Sequence, residues 1–279
     1  MTVCIIGLGL IGGSIAISLR ENAFAHRLIG VDFNSNHCTE ALALGLVDEI
    51  LPLHEGIDQA ELVIIAIPVD ATLEILPSVL NRVNNQVVMD VGSAKLVICN
   101  AIRKHEKRSN FVASHPMWGT ENNGPLAAVR GAFKNKAAVI CDKHLSSDEA
   151  IKVVEGVYQT LGMYLVYMGA ADHDIHTAYI SHVSHITSFA LANTVLEKEK
   201  EDNTIFELAS GGFESTVRLA KSNPKMWLPI FMQNKENVLD VLNEHIYQLK
   251  KFKACLEKEN VEYLAELMEN ANTIRRILK

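Results

Sequence analysis

Three glycines near the start of the chain have the spacing of a phosphate-binding turn. Gly7, Gly9 and Gly12 follow an apolar run over residues 2–6 and lead into a helical pattern. In such a turn the first glycine permits a tight bend, the second leaves space for a pyrophosphate, and the third lets helix and strand pack closely. The unpaired N–H groups of the helix start face the phosphates. The pattern predicts a dinucleotide site formed by Gly7, Leu8, Gly9, Leu10, Ile11 and Gly12.

An acidic residue lies in register with these glycines. A second apolar run, residues 28–31, ends at Asp32, twenty residues after Gly12. A carboxylate at this place accepts hydrogen bonds from both ribose hydroxyls and repels a 2′-phosphate, so the sequence favours NAD over NADP. NADP stays open as an alternative because the polar residues 34–37 could help to hold a phosphate. Ile67 and Pro68, which follow another buried strand, are expected to edge the cofactor.

His115 is the candidate general base. It follows a strand-like run over residues 110–114 and precedes a proline, which favours an extended backbone. Ligands of open parallel sheets sit beyond the carboxyl ends of the strands. A neutral imidazole there could take a proton from a substrate hydroxyl while hydride leaves the same carbon. The alternative is a histidine that merely ends a strand. Glu121 could orient this imidazole or a substrate group, or be a surface acid.

An earlier strand pattern, residues 86–89, ends at Asp90, and Ser93 and Lys95 follow it. Both could bind a substrate oxygen or a phosphate at the start of a predicted helix through Arg103. For Ser93 the alternative is a plain helix N-cap.

A pair of histidines and an arginine stand out in the second half of the chain. His182 and His185 share one face of a predicted helix, where buried imidazoles need hydrogen-bond partners. A zinc site is the alternative, but no cysteine lies nearby and hydride chemistry needs no metal, so we expect none. Arg218 is suited to bidentate binding of a carboxylate, with a surface ion pair as its alternative.

The elements that must position these residues fall into two parts. Strand and helix patterns alternate through residue 168, which predicts a Rossmann-type, doubly wound parallel sheet in a domain over residues 1–168. No strand-like alternation follows Gly169, so residues 169–279 are predicted to form an all-helical domain. Its four helical patterns run over about 172–198, 203–222, 226–252 and 254–278, and the charge run 197–202 is expected to be a turn. Their apolar stripes could pack together or join two subunits.

Composition excludes several classes of protein. The formal net charge of −7 argues against nucleic acid as the main partner. No uncharged stretch other than the glycine-rich start is long enough to span a bilayer, so no membrane is expected. The five cysteines show no CxxC spacing, which is typical of reduced thiols in a cytoplasmic protein.

Five segments, taken in order, resemble the prephenate/arogenate dehydrogenase family of tyrosine biosynthesis. They are GLGLIGGS, DVGSAK, SHPMWGTE, SHVSH and GGFESTVRLAKSNPKMW. The resemblance implies a nucleotide-binding domain, a helical domain that forms a homodimer, and an active site in the cleft between them. It makes His115 the catalytic histidine and Ser93 a contact of both that histidine and the substrate hydroxyl. Five further residues are implied to hold the substrate or line its pocket: His185, Arg218, Glu121, Gly211 and Trp227, the last matching a tryptophan that reaches the partner subunit's site.

The implied reaction is the NAD-dependent oxidative decarboxylation of prephenate to 4-hydroxyphenylpyruvate. Two alternatives stay open: an arogenate dehydrogenase that forms tyrosine directly, and a non-catalytic NAD-binding redox sensor. The chain departs from the family pattern at Ser184, where a proline is usual, at Trp118, where many relatives carry alanine, and at Ser215, where an acid is common. These departures bear on substrate preference more than on the class of reaction.

Overall fold

The first part of the chain forms one eight-stranded sheet with helices on both faces. The structure, a computed structural model, describes residues 1–200 and 205–277. The strand order is β3-β2-β1-β4-β5-β6-β7-β8. The strands are β1 (Thr2–Ile6), β2 (Arg27–Val31), β3 (Glu49–Ile50), β4 (Leu62–Ile65), β5 (Val87–Asp90), β6 (Phe111–Pro116), β7 (Ala137–Cys141) and β8 (Tyr164–Met168).

Six helices cover this sheet: α1 (Leu10–Glu21), α2 (Ser35–Ala43), α3 (Leu53–Gln59), α4 (Val69–Arg82), α5 (Leu96–Ala101) and α6 (Asp148–Thr160). Separate apolar cores lie on the two faces of the sheet, one beneath α1 and α6 and one beneath α3, α4 and α5. The central strands are apolar along their whole length because both faces are buried. The predicted doubly wound architecture is confirmed.

One pair of strands departs from the expected parallel order. β7 runs antiparallel to β6, whereas β8 is again parallel to β7. A parallel partner needs a long crossover, usually a helix. The segment between β6 and β7 holds only a short helical turn, Pro125–Ala127, and packs back over α1. The chain therefore turns back at the carboxyl end of β6, and β7 begins there.

The second part is helical, as predicted: α7 (Ala170–Thr177), α8 (Val183–Glu199), α9 (Gly211–Val217), α10 (Pro224–Gln233), α11 (Lys235–Glu257) and α12 (Val261–Asn272). A single π-helical turn, Ala178–His182, joins α7 to α8 without a break. None of the described residues after Met168 forms a strand. In the same described ranges, no helix is both long and apolar enough to cross a membrane.

The helix boundaries differ from the prediction in four places. The last predicted helix, 254–278, begins later, because α11 continues to Glu257 and α12 begins only at Val261. The predicted helix over 226–252 is broken at the buried residue Asn234, which ends α10 and precedes α11. The predicted helix over 203–222 is instead α9 flanked by two 3₁₀ turns, Ile205–Leu208 and Arg218–Lys221. The charge run begins inside α8 rather than in a turn. Residues 201–202 of that run and residues 203–204 of the predicted helix lie outside the described ranges.

Candidate active site

The glycine-rich turn has the geometry of a dinucleotide cradle. Gly7 has a φ of 98°, and a Cβ there would collide with the carbonyl oxygen of Ala66. A Cβ on Gly12 would collide with the Gly7 carbonyl, whereas one on Gly9 would meet nothing within 4 Å. The N-terminus of α1, from Leu10 and Ile11 onwards, has no side-chain cap and no acid in its first turn. These features fit a pyrophosphate that lies on bare backbone and faces a helix start.

Asp32 lies against this turn, directly after β2. Its Oδ2 accepts a hydrogen bond from the Leu8 amide at 2.9 Å, and its Oδ1 accepts one from the Asn34 amide at 2.9 Å. His37 Nδ1 is 3.5 Å from the same carboxylate. The carboxylate is thus held at the turn, where a ribose would follow the pyrophosphate. The Ile67 side chain lies beside Gly7, and Pro68 is the residue directly before α4 at the same edge.

His115 lies within β6 rather than after it, opposite Val139 of β7. Its Nδ1 is 2.9 Å from Nε2 of His173, and the two rings meet edge to face with centroids 5.1 Å apart. His173 Nδ1 is in turn 2.8 Å from Oδ1 of Asp174. Burial, followed by the nearby His173 and Lys95, holds the pKa of His115 well below its usual value of 6.5. His115 is therefore neutral at neutral pH, as a general base requires.

A buried ion pair lies beneath His115. The Lys95 ammonium binds Oδ2 of Asp90, and it also donates to the carbonyl oxygen of Ser114 at 2.8 Å. Neither Lys95 nor Asp90 is exposed at all. The suggestion that Lys95 binds a substrate oxygen or phosphate is therefore wrong, because burial closes its ammonium to ligands.

Ser93 is not the N-cap of α5, which begins only at Leu96 and ends at Ala101. The cap comes from the helical domain instead, where the Asp174 carboxylate accepts the amides of Lys95 at 2.8 Å and Leu96 at 2.9 Å. A distant carboxylate satisfies the amides that a local serine was expected to satisfy. The half-buried Ser93 hydroxyl makes no hydrogen bond to the described part of the chain.

The two histidines of the SHVSH segment have different surroundings. His182 is buried, and Asn234 donates to its Nδ1 at 3.2 Å; burial lowers the pKa of His182 to about 4. His185 is half-buried, donates from Nδ1 to the Ser181 carbonyl at 3.0 Å, and stacks on the Trp227 indole with centroids 3.5 Å apart. His182 is a satisfied core residue, and His185 keeps Nε2 available for a ligand. Across residues 1–200 and 205–277, no three His, Cys, Asp or Glu side chains are arranged to hold a metal ion.

Arg218 and Glu121 connect the two domains. The guanidinium donates to Glu121 Oε2 at 2.7 Å, and half of the arginine side chain is exposed. Trp227 is buried against His185, and its Nε1 has no partner among the described residues. Gly211 begins α9 and is exposed, with nothing within 4 Å of the place that a Cβ would take. The structure thus brings Glu121 to Arg218 and His185 to Trp227.

Sequence reasoning missed His173 and Asp174. It assigned this Asp-His-Asp segment to the start of a helix, and α7 does begin at Ala170. The signal was available: both residues fall on the face of α7 that also buries Ala170 and Thr177. Polar side chains on a buried helix face need partners, which points to a hydrogen-bonded network beside them.

A cradle for a dinucleotide after β1 and a half-buried, neutral histidine at the carboxyl end of β6 in the same sheet define an NAD-dependent dehydrogenase with a helical second domain. The family model for the prephenate dehydrogenase nucleotide-binding domain matches residues 15–167, and the model for the prephenate dehydrogenase dimerization domain matches residues 169–270. The chain belongs to the prephenate dehydrogenase family, and the resemblance seen in its motifs is confirmed.

Individual relatives agree with this assignment. Prephenate dehydrogenase of Bacillus subtilis (strain 168) is 32% identical over 278 residues, which cover 98% of this chain and 75% of the relative. The crystal structure of prephenate dehydrogenase from A. aeolicus, in complex with hydroxyphenyl propionate and NAD⁺, superposes with a TM-score of 0.90 at 28% identity and covers 100% of this chain and 98% of that one. The crystal structure of Synechocystis arogenate dehydrogenase has a TM-score of 0.79 at 27% identity, with 100% of both chains covered.

Proposed function

We propose that this enzyme carries out the NAD-dependent oxidative decarboxylation of prephenate to 4-hydroxyphenylpyruvate, with His115 as its general base. The observation that carries the assignment of the base is the neutral imidazole of His115 at the carboxyl end of β6. That end of the sheet is where dinucleotides and their substrates lie in this architecture. The cradle at Gly7, Gly9 and Gly12 would hold the pyrophosphate, and Asp32 would hold the ribose.

The reaction balances without a metal. A bound nicotinamide supplies the hydride acceptor. His115 Nε2 takes the proton of the ring hydroxyl while hydride leaves the carbon that bears it, which produces a conjugated ketone. The bond from the ring to its carboxylate then breaks, carbon dioxide leaves, and the electron pair makes the ring aromatic. The imidazolium returns its proton to the phenolate oxygen.

Arg218 and His185 are proposed to hold the substrate. The ion pair of Arg218 with Glu121 is half exposed, and such pairs contribute only about 0–1 kcal/mol. A substrate carboxylate can therefore take the place of Glu121 and accept two parallel hydrogen bonds from the guanidinium. His185 Nε2 is a further group without a partner among the described residues, and the Trp227 indole stacked on His185 is assigned to the pocket lining. Glu121 and Gly211 are assigned to the pocket lining, and Ser93 to the substrate hydroxyl.

Replacement of the base tests the assignment. We expect His115→Asn to lower kcat by about 10²–10⁴-fold, the usual contribution of a general base, while NAD still binds. NADH formation on addition of prephenate measures turnover, and quenching of protein fluorescence measures NAD binding. His144→Asn is the matched control, because that histidine is exposed and lies outside the site. Near-normal turnover of His115→Asn would show that another group is the base.

Arogenate is the second candidate substrate, because the Synechocystis relative is an arogenate dehydrogenase of the same overall structure. The two substrates differ in a keto or amino group on the side chain. Measurement of kcat/KM for both, each with NAD and NADP, decides between them. No NADH with either substrate would support the redox-sensor alternative.

The helical domain is proposed to join two copies of the chain. We assign residues 1–168 to the NAD-binding domain and residues 169–279 to substrate binding and dimerisation. Large apolar side chains along α11 and α12 are exposed in the single chain, among them Leu239, Ile246, Leu249, Val261 and Met268. An exposed apolar face of this extent is typical of an interface between subunits. Sedimentation should show a dimer, and Ile246→Glu with Leu249→Glu should shift it towards monomer. A wild-type monomer at micromolar concentration would contradict the proposal.

We place the enzyme in the cytoplasm, since all five cysteines are unpaired and four of them are buried. Thiols in that state are typical of a reducing compartment. Fractionation of cells that express the full chain tests this location.

A further inference from the structure

Three polar side chains form a continuous hydrogen-bonded chain from the proposed base into the helical domain. His115 Nδ1 lies 2.9 Å from His173 Nε2, and His173 Nδ1 lies 2.8 Å from Asp174 Oδ1. His173 and Asp174 are each 1% exposed, so water does not compete for these bonds. This series of hydrogen bonds runs from β6 to α7, that is, from one domain to the other.

The donor and acceptor of each of these hydrogen bonds follow from the Asp174 carboxylate at the end of the series. An ionised carboxylate only accepts hydrogen bonds, so His173 must donate from Nδ1. Burial lowers the pKa of His173, and a neutral imidazole that carries its proton on Nδ1 can only accept at Nε2. His115 must then be the donor in the first bond, with its proton on Nδ1. Its Nε2 is left with a lone pair.

The carboxylate at the end of the chain is itself held in place. Oδ1 of Asp174 accepts the Lys95 amide at 2.8 Å, and Oδ2 accepts the Leu96 amide at 2.9 Å. The two amides hold the carboxylate in the orientation in which Oδ1 also accepts from His173 Nδ1. The start of α5 therefore determines the orientation of Asp174, and through it the direction of both imidazole bonds.

We propose that His173 and Asp174 are positioning residues that hold His115 in its Nδ1–H tautomer and so reserve Nε2 for the proton of the substrate. Without this pair the neutral ring of His115 would carry its proton on either nitrogen, and molecules protonated on Nε2 could not act as base. The role rests on the proposed function of His115 as base. The tautomer itself is a property of the resting enzyme and can be measured without turnover.

The first experiment measures the tautomer. Full-length enzyme is labelled with ¹⁵N-histidine, bound to NAD, and studied at pH 7.5 by two-bond ¹H–¹⁵N correlation spectra; the His115 signals are assigned by their loss in His115→Asn. We expect the Nδ1–H pattern for both His115 and His173. A His115 ring protonated on Nε2 in the wild-type enzyme overturns the proposal, whether or not the enzyme oxidises prephenate.

The second experiment measures the consequence for turnover. His173→Leu removes the acceptor, and we expect kcat to fall about 10²-fold or more while KM for prephenate and the Kd for NAD change little. For comparison, a histidine base held in the wrong tautomer in a serine protease costs about 10⁴-fold. His173→Gln places an amide oxygen near the position of Nε2 and should recover at least tenfold of the loss.

His182→Leu is the matched control for this pair of variants. His182 is as buried as His173 and lies near it in sequence, but its hydrogen bond goes to Asn234 rather than to His115. We expect its kcat to change less than that of His173→Leu. A kcat for folded His173→Leu within threefold of wild type overturns the proposal, as does a loss of equal size in both leucine variants. If His173→Leu does not fold, the wild-type tautomer and the kcat of His173→Gln decide the question.

Discussion

Removal of the Lys95 ammonium, which lies beneath His115, should strongly lower the stability of the protein without raising the KM for prephenate. Lys95 is fully buried and binds Asp90, also fully buried, and the Ser114 carbonyl at 2.8 Å. Lys95→Met keeps most of the aliphatic stem and deletes the charge. Asp90 then retains the Gly92 amide at 3.0 Å and the longer Ser114 contact at 3.3 Å, with no cation. An anion is left in an apolar interior.

The expected loss follows from this burial. Breaking a buried ion pair by removing one partner costs about 3–5 kcal/mol, because the remaining charge keeps its desolvation penalty. At roughly 2–4 °C per kcal/mol for a domain of this size, the unfolding midpoint should fall by roughly 6–20 °C.

Thermal unfolding followed by circular dichroism, at one fixed protein concentration, measures the midpoint. Lys143→Met is the matched control, since its ammonium is half exposed and 3.1 Å from Glu155. An exposed pair contributes about 0–1 kcal/mol, so that midpoint should hardly move. Lys95→Met with Asp90→Asn should recover part of the loss. A stability change below about 1 kcal/mol, together with a raised KM for prephenate, would refute the structural role of Lys95.

Three further predictions concern the active site. Since burial holds the pKa of His115 below 6.5, its neutral base form persists as the pH falls through 6.5. The value of kcat/KM should therefore stay level near pH 6.5 and decline only at lower pH. A decline centred above pH 6.5 would count against His115 as the base. Arg218→Ala should mainly raise KM for prephenate, by at least about tenfold for a lost charged hydrogen bond, whereas Lys221→Ala should not; an unchanged KM would show that Arg218 is not the anchor. Asp32→Ala should weaken the binding of NAD by about 10–100-fold, as expected for the loss of one or two charged hydrogen bonds. Cofactor titrations should then show a smaller preference for NAD over NADP. Equal preference in wild type and variant would remove Asp32 from the ribose site.

Much of the architecture was predictable from the sequence because it depends on local patterns. Continuous apolar runs, glycine spacing and an acid after the second strand each follow from neighbouring residues, and together they predict the sheet and its cradle. The antiparallel β7 was not predictable in this way. A strand pattern carries no direction, and the direction of β7 depends on how the segment after β6 packs over α1.

The roles of individual polar residues depend on partners far away in the chain. Residue type and position after a strand were enough to select His115 as a candidate base. Whether Ser93 caps a helix and whether Lys95 meets a ligand depended instead on Asp174, 79 residues beyond Lys95, and on the depth of the Asp90 pair. The sequence by itself thus determined the class of fold and the cofactor cradle. Only the tertiary structure decided which polar groups are buried against each other, because burial and hydrogen bonding are properties of contacts between segments that the chain order does not specify.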